Sequence, residues 1–397
     1  MAKIALLGIG TVGGGVARLL TSNASQIAGG AGEEIELKYI LCSRPHPDSP
    51  FADKLIYDFS EIESDPEVSV VAECIGGVGS AYDYAKRALK AGKSVVTSNK
   101  ELIAEKGPEL LSLAAENGAR VLFEASVGGG IPIIRPLTQC LAANRVDEIY
   151  GILNGTTNYI LTQMIQCSQS FDEALHDAQR LGYAESDPTA DVEGLDAGRK
   201  ICILADICFG HHVPPEKIRV RGITGITAND AVLAERLGMT VKLLGRARRV
   251  GGRLAVSVSP HMIGLDKMLA NISGVMNGIC VKGDAVGECL FYGAGAGSLP
   301  TASAVVADII DAVRRAFDGK CPVWGEDGLD MLLDPDELPC RWYVRAEGEA
   351  AVLESVFGGA AVSVDGMSAV IAGEMSRSEI DDMCAGLGSC VCFPVLD

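Results

Sequence analysis

No apolar run in the sequence reaches the ~18 residues of a membrane span, so a transmembrane helix is excluded. The opening residues, MAKIALLGIG, lack an apolar signal region followed by a cleavage site, which argues against secretion. Positive charge is in deficit: 34 Lys and Arg against 52 Asp and Glu leave a formal net charge of -18. That balance excludes a general polyanion binder, though not a local anion site. Cysteine is plentiful at 13, yet no CxxC pair occurs and the number is odd. Cys42, Cys74, Cys140 and Cys202 are scattered and read as buried free thiols in a reducing cytosol rather than a disulfide framework. A soluble cytoplasmic protein with no membrane or nucleic-acid partner is expected.

At 397 residues the chain is too long for one ordinary core and predicts two or three domains. Hydrophobic residues make up 48%, enough for a sizeable core. KIALLGIGTVGGGVARLL joins an apolar run, Ile4 to Leu7, to Gly8, Gly10 and Gly13, then to helical spacing at Val16, Leu19 and Leu20. Strand, glycine turn, helix is the context in which GxGxxG cradles a dinucleotide pyrophosphate. Gly8 would allow the turn, Gly10 the approach of a phosphate, and Gly13 the packing of helix on strand. Free amides at the helix N-terminus would meet the phosphates. The bland reading is a glycine-rich turn in an unrelated α/β unit.

The alternation continues. IELKYILCS and VSVVAECIG read as strands, AYDYAKRALKAG as a helix ending at Gly92, KSVVTSNK as a strand, ELLSLAAENG as a helix and RVLFEASVGGG as a strand. The predicted class is α/β, with an N-terminal Rossmann-type doubly wound parallel sheet. Its ligand would sit at the carboxyl ends of the strands, where Gly76, Ser98, Asn99 and Lys100 fall. At the end of the second strand stand Ser43 and Arg44, with no acid before Asp48. An acid there binds a ribose hydroxyl and an Arg accepts a 2′-phosphate, so NADP is favoured over NAD. The bland reading of Arg44 is a surface residue of the loop SRPHPD.

The pattern changes after EASVGGGIPIIRPL, and a boundary is placed near residue 131. On spacing alone the glycine run is a hinge; the other reading is a set of backbone oxygens for a hard cation. VDEIYGILNGTTNYILTQMI combines a strand with a turn at Asn154-Gly155. FDEALHDAQRLGYAESDP is an amphipathic helix stopped by Gly182, and a further helix starts around Asp191. Asp196 and Lys200, four apart, share a face of that helix. They are either a surface salt bridge or a lysine kept beside carboxylates to move a proton. RARR reads as part of a solvated hairpin turning at Gly251-Gly252. GAGAGSLPTASAVVADIIDAVRRAF places a second glycine loop before a long helix, predicted to pack back on the first domain.

GIGTVGGGV, SNKELIA, FEASVGGGIPII, LNGTTNYILT, GYAESDPTADVEGLDAGRK and GAGAGSLPTASAV, in this order over residues 3–317, resemble the homoserine dehydrogenases. The resemblance implies interconversion of L-aspartate 4-semialdehyde and L-homoserine with NAD(P)H, on the route to threonine and methionine. It implies Lys200 as proton donor and acceptor, Lys100 beside substrate and nicotinamide, and Asp196 beside the active lysine. Glu185 would hold the substrate ammonium, with Asp191 at the substrate. Gly8, Gly10, Thr11, Val12, Gly13, Arg44, Gly76, Ser98, Lys100 and Gly297 are the expected cofactor contacts. A sodium-type cation on Glu124, Val127, Gly129 and Ile131 is implied too, which reverses the hinge reading. Expected domains are 1–130 for the dinucleotide, with helix 299–317 packed on it, an α+β catalytic and dimerisation domain over 131–298, and a short ACT-like segment over 338–397. No fused aspartate kinase is expected ahead of the first strand. A homodimer or higher assembly is expected. Two alternatives stand beside this reading: an amino-acid-sensing protein on the same fold, and an NADP oxidoreductase for another amino-acid aldehyde. The presence of Lys100, Lys200, Asp191 and Asp196 disfavours the first.

Overall fold

Short apolar runs set between amphipathic segments produce six parallel strands in the first part of the chain. They are β1 (Ala2–Leu7), β2 (Ile35–Leu41), β3 (Leu55–Ile56), β4 (Val68–Glu73), β5 (Ser94–Thr97) and β6 (Val121–Leu122), lying side by side as β3-β2-β1-β4-β5-β6. This is the doubly wound order, whose topological switch point lies between β1 and β4. Ile4 to Leu7 of β1 are wholly buried, as a parallel strand covered on both faces requires. The connecting helices are α1 (Thr11–Ser22), α2 (Ala24–Ala31), α3 (Ser60–Ser64), α4 (Gly79–Lys90) and α5 (Lys100–Glu116). The computed structural model describes residues 1–314, 324–325 and 328–396. Its Cα framework divides into two compact units, the first made of 1–145, 202–215 and 293–329.

The second unit comprises 146–201, 216–292 and 330–397 and is built on one mixed sheet. Its strands are β7 (Val146–Ile152), β8 (Arg219–Val220), β9 (Met239–Val250), β10 (Arg253–Gly264), β11 (Met276–Gly283), β12 (Gly287–Ala294), β13 (Cys340–Glu347), β14 (Val362–Val364), β15 (Met367–Met375) and β16 (Cys390–Leu396). They run β12-β11-β7-β9-β10-β16-β13-β15-β14, with β8 beside β10. Gly251 and Gly252, at φ +56° and +83°, make the β9–β10 hairpin. The helices that follow α5 are α6 (Gly155–Gln166), α7 (Phe171–Arg180), α8 (Thr189–Val192), α9 (Leu195–Phe209), α10 (Ala228–Arg236), α11 (Ser298–Arg314), α12 (Gly328–Met331), α13 (Ala350–Phe357) and α14 (Arg377–Cys384).

Two features position the sites. Helix α11 belongs to the first unit: Ala302, Val305 and Ile309 share a core with Ile4 and Val16. A Cβ on Gly15 would lie 2.8 Å from the Ser298 carbonyl oxygen, so only glycine allows this approach of α1 and α11. Residues 315–317, the expected end of that helix, lie outside the described residues. The C-terminal β13-α13-β14-β15-α14-β16 segment has the antiparallel order β16-β13-β15-β14, a split βαβ arrangement. It extends the sheet of the second unit, because β16 pairs with β10 at Met262–Val395 and Ile263–Leu396. The fully buried Asp230 fastens it, accepting from the Tyr343 hydroxyl at 2.9 Å and pairing with Arg345 Nε at 2.8 Å.

Candidate active site

In the first unit the turn after β1 puts its glycines to different uses. Gly8 has φ +89°, the left-handed region that favours glycine. A Cβ on Gly13 would lie 2.1 Å from the Gly8 carbonyl oxygen, so α1 closes on the turn with no room for a side chain. A Cβ on Gly10 would meet nothing within 4 Å, leaving open the side from which a pyrophosphate approaches. Thr11 and Val12 open α1, and the Ser298 hydroxyl donates to the Thr11 carbonyl at 2.6 Å, which sets Gly297 beside that helix end.

The neighbouring strand ends are braced by a residue the motif reading missed. Glu73, fully buried at the end of β4, accepts from the Ile75 and Gly76 amides at 2.6 and 3.2 Å and from the Thr97 hydroxyl at 2.5 Å. Asn99 donates to the Gly77 carbonyl at 2.6 Å and caps α5 by accepting from the Leu102 amide. Gly76, Ser98 and Lys100 are thereby held along the carboxyl edge of the sheet. Arg44 is exposed just past β2 and lines a cleft of 680 Å³ with Arg18, Ile9, Gly14 and the loop to Phe51. Arg18 also escaped notice; its signal is its place one turn after Gly14 on α1. Among the described residues, Asp48 is the only carboxylate lining that cleft.

The glycine run after β6 is pinned from both sides. Glu124 is buried with both oxygens committed, one to the Ile133 and Ile134 amides at 2.6 and 2.8 Å, the other to the Arg135 amide at 2.8 Å. Its own amide donates to Asp308, which also takes the Arg135 guanidinium at 2.7 Å. Burial, with the Glu124 charge adding to it, pushes Asp308 up to about 8. Gly129, at φ +57°, lies against Gly295, where a Cβ would come within 2.4 Å of the carbonyl oxygen. Val127 and Ile131 are buried on either side of that turn. With its carboxylate so engaged, Glu124 has only a backbone oxygen left for a cation.

In the second unit the acids and lysine of DPTADVEGLDAGRK are gathered by a residue far from them in sequence. The expected single helix from Asp191 is instead two: α8 ends at Val192, Gly194 turns the chain at φ +82°, and α9 begins at Leu195. Asp191 and Asp196 therefore stand on different elements. Asn154 joins them. It was expected in a turn; it is the N-cap of α6, accepting from the Thr157 amide at 2.8 Å. Its side-chain amide donates to Asp191 at 2.7 Å and to Asp196 at 2.9 Å. One helical turn beyond Asp196, Lys200 Nζ donates to the same Asp196 oxygen at 2.6 Å and to the Leu153 carbonyl at 2.8 Å. Asn154, Asp196 and Lys200 are 5%, 4% and 9% exposed, so this is a buried pair rather than a solvated helix face. Burial pushes the Asp191 carboxyl up, the Asn154 hydrogen bond pulls it back, and the Asp196 charge adds to the rise. An ammonium has three donors; among the described residues two are used, so one N–H of Lys200 is left for an incoming oxygen. Glu185 is not drawn into this cluster; it lies exposed in the loop after α7.

A parallel sheet in doubly wound order with this glycine turn defines a nicotinamide-dinucleotide unit, and the acid–lysine cluster is suited to proton transfer: the class is a nicotinamide-dependent oxidoreductase. Residues 8–124 match the family model for the NAD binding domain of homoserine dehydrogenase, and residues 132–310 match the model for homoserine dehydrogenase itself. The chain belongs to the homoserine dehydrogenase family. The Pseudomonas aeruginosa homoserine dehydrogenase is 46% identical over 313 residues, covering 79% of this chain and 72% of the relative. The crystal structure of the Thiobacillus denitrificans enzyme superposes with a TM-score of 0.92 at 36% identity, over 100% of this chain and 98% of that one. A hyperthermophilic archaeal homoserine dehydrogenase solved in complex with NADPH has a TM-score of 0.68 at 28% identity, over 79% of this chain and 98% of that one.

Proposed function

We propose that this chain reduces L-aspartate 4-semialdehyde to L-homoserine, and oxidises it in reverse, in the cytoplasmic synthesis of threonine and methionine. The observation that carries the reading is the buried Lys200, held by Asp196 and Leu153 with one donor uncommitted. The bound nicotinamide supplies the hydride. Lys200 gives its proton to the aldehyde oxygen as that oxygen becomes an alkoxide, and recovers it in the reverse direction. Asp196 holds the ammonium in place. Asp191 lies at the substrate, Glu185 on its exposed loop is assigned to the substrate ammonium, and Lys100 is assigned to substrate and nicotinamide.

Gly8, Gly10, Thr11, Val12, Gly13, Gly76, Ser98 and Gly297 are assigned to the dinucleotide. The favoured cofactor is NADP, with Arg44 and Arg18 taking the 2′-phosphate in their shared cleft. A sodium-type ion would be held by backbone oxygens of Glu124, Val127, Gly129 and Ile131, which suits the committed Glu124 carboxylate. The assembly is a homodimer or larger. Purified protein is expected to oxidise L-homoserine with NADP, and more slowly with NAD, followed by absorbance of the reduced nicotinamide. Absence of turnover with both cofactors would overturn the proposal.

A further inference from the structure

We propose that the second unit carries a binding site for a small tetrahedral oxyanion such as phosphate, at the seam between strands β8–β10–β9 and the segment leading into β13. In a chain of net charge -18, four arginines converge on one cavity there: Arg219, Arg221, Arg246 and Arg248. The strand register explains how. Residues two apart on a strand share a face, which puts Arg246 and Arg248 of β9 on one side. Ser257 of β10 pairs with Arg246 on one flank and with Arg219 of β8 on the other, so a hydroxyl-bearing residue stands between two arginine positions of the sheet and lines the same cavity.

Three of the arginines have carboxylates. Arg219 pairs with Asp334 at 2.6 Å, Arg221 with Asp336 at 2.6 and 3.1 Å, and Arg246 with Glu148 at 2.5 Å. The Arg248 side chain makes no ion pair or hydrogen bond among the described residues and is only partly exposed. Burial and then the adjacent Arg246 work against its charge, while Glu148, opposite it on β7 but bonded to Arg246, works the other way and does not offset them. A guanidinium does not give up its proton in proteins, so a bound anion would relieve what Glu148 leaves uncompensated. His261, buried on the same face, is pushed down to about 3, chiefly by burial, and stays neutral, so it adds no competing charge.

The cavity measures 50 Å³. At about 10–15 Å³ per water, that is room for about four waters or one five-atom oxyanion. It is far too small for a nucleotide or a protein segment. Asp336, itself part of the lining, also works against a polyanion. A planar fork beside a hydroxyl matches the oxygens of phosphate.

The test is calorimetric titration of inorganic phosphate into the purified full chain, in a phosphate-free buffer at constant ionic strength. One saturable site per chain is expected. Arg248→Gln should weaken it by roughly tenfold or more. Ser257→Leu, which keeps every charge and fills the space, should remove it. Arg44→Gln should leave it unchanged, since phosphate could otherwise occupy the cofactor's 2′-phosphate position. Absence of saturable binding, wild-type affinity in folded Arg248→Gln or Ser257→Leu protein, or loss of binding in Arg44→Gln would each overturn the proposal.

Discussion

At the scale of single residues, the second-unit site is an arrangement for holding one buried lysine among acids. Asn154 makes this workable: one amide group donates to both carboxylates and lessens the cost of placing them together. Lys200→Ala should lower turnover by roughly a hundredfold or more, but it also strands the buried Asp196. Lys200→Arg separates the two effects. It keeps a cation for Asp196 yet does not release a proton, so it should be nearly as inactive while melting close to wild type. Wild-type turnover in Lys200→Arg would remove the proton-transfer role. In the first unit, Arg44→Ala should raise the KM for NADP by about tenfold and leave that for NAD nearly unchanged, because only the former carries the phosphate. Equal changes for both cofactors would show that Arg44 is an ordinary loop residue.

At the scale of elements, the β1–α1 turn gives a contrast between neighbours. Gly13→Ala forces a Cβ to 2.1 Å from the Gly8 carbonyl, so strand, turn or helix must move, and the melting temperature should fall by several degrees. Gly10→Ala meets no protein atom within 4 Å and should melt normally, yet bind the dinucleotide at least about tenfold more weakly. A normal melt for Gly13→Ala, or normal binding for Gly10→Ala, would contradict this division. Elements of this sort were legible from sequence because their signals are local: an apolar run, a glycine at fixed offset, a helix period. The Gly8, Gly182 and Gly251-Gly252 turns all carry positive φ where glycine punctuation implied turns. What was not legible depends on distance along the chain. Asn154 lies 37 and 42 residues from the acids it joins, and nothing in NGTTNY announces them. Glu73 reads as the last residue of a strand until Thr97 is seen beside it. The break at Gly194 is hidden because the Asp196–Lys200 pair and the apolar run beyond it suggest one continuous helix from Asp191.

At the scale of the whole molecule, each unit has its own consequences, and the second holds a charge that its fold tolerates poorly. The sheet from β12 to β14 is continuous, so the C-terminal segment shares the stability of the strands it extends. In its middle, on β9, Lys242 is 2% exposed and donates to the Ile272 carbonyl at 2.6 Å and the Asn158 side-chain oxygen at 3.1 Å, both of them neutral acceptors. Burial lowers its pKa to about 8, against 10.5 for the unfolded chain. Between those two values the unfolded state holds a proton that the folded state has released, so stability must rise with pH across that window, and the penalty is fully present and constant below 8. From pH ~7.5 to ~10 the gain from this residue alone is about 2 kcal/mol. Lys242→Met keeps the side-chain length and has nothing to titrate. Urea unfolding of both proteins at the two pH values should therefore give a wild-type stability that climbs relative to the variant by about that amount. If the two proteins change in parallel, Lys242 is charged and solvated in the folded state, and the sheet opens around it more than its hydrogen bonds indicate.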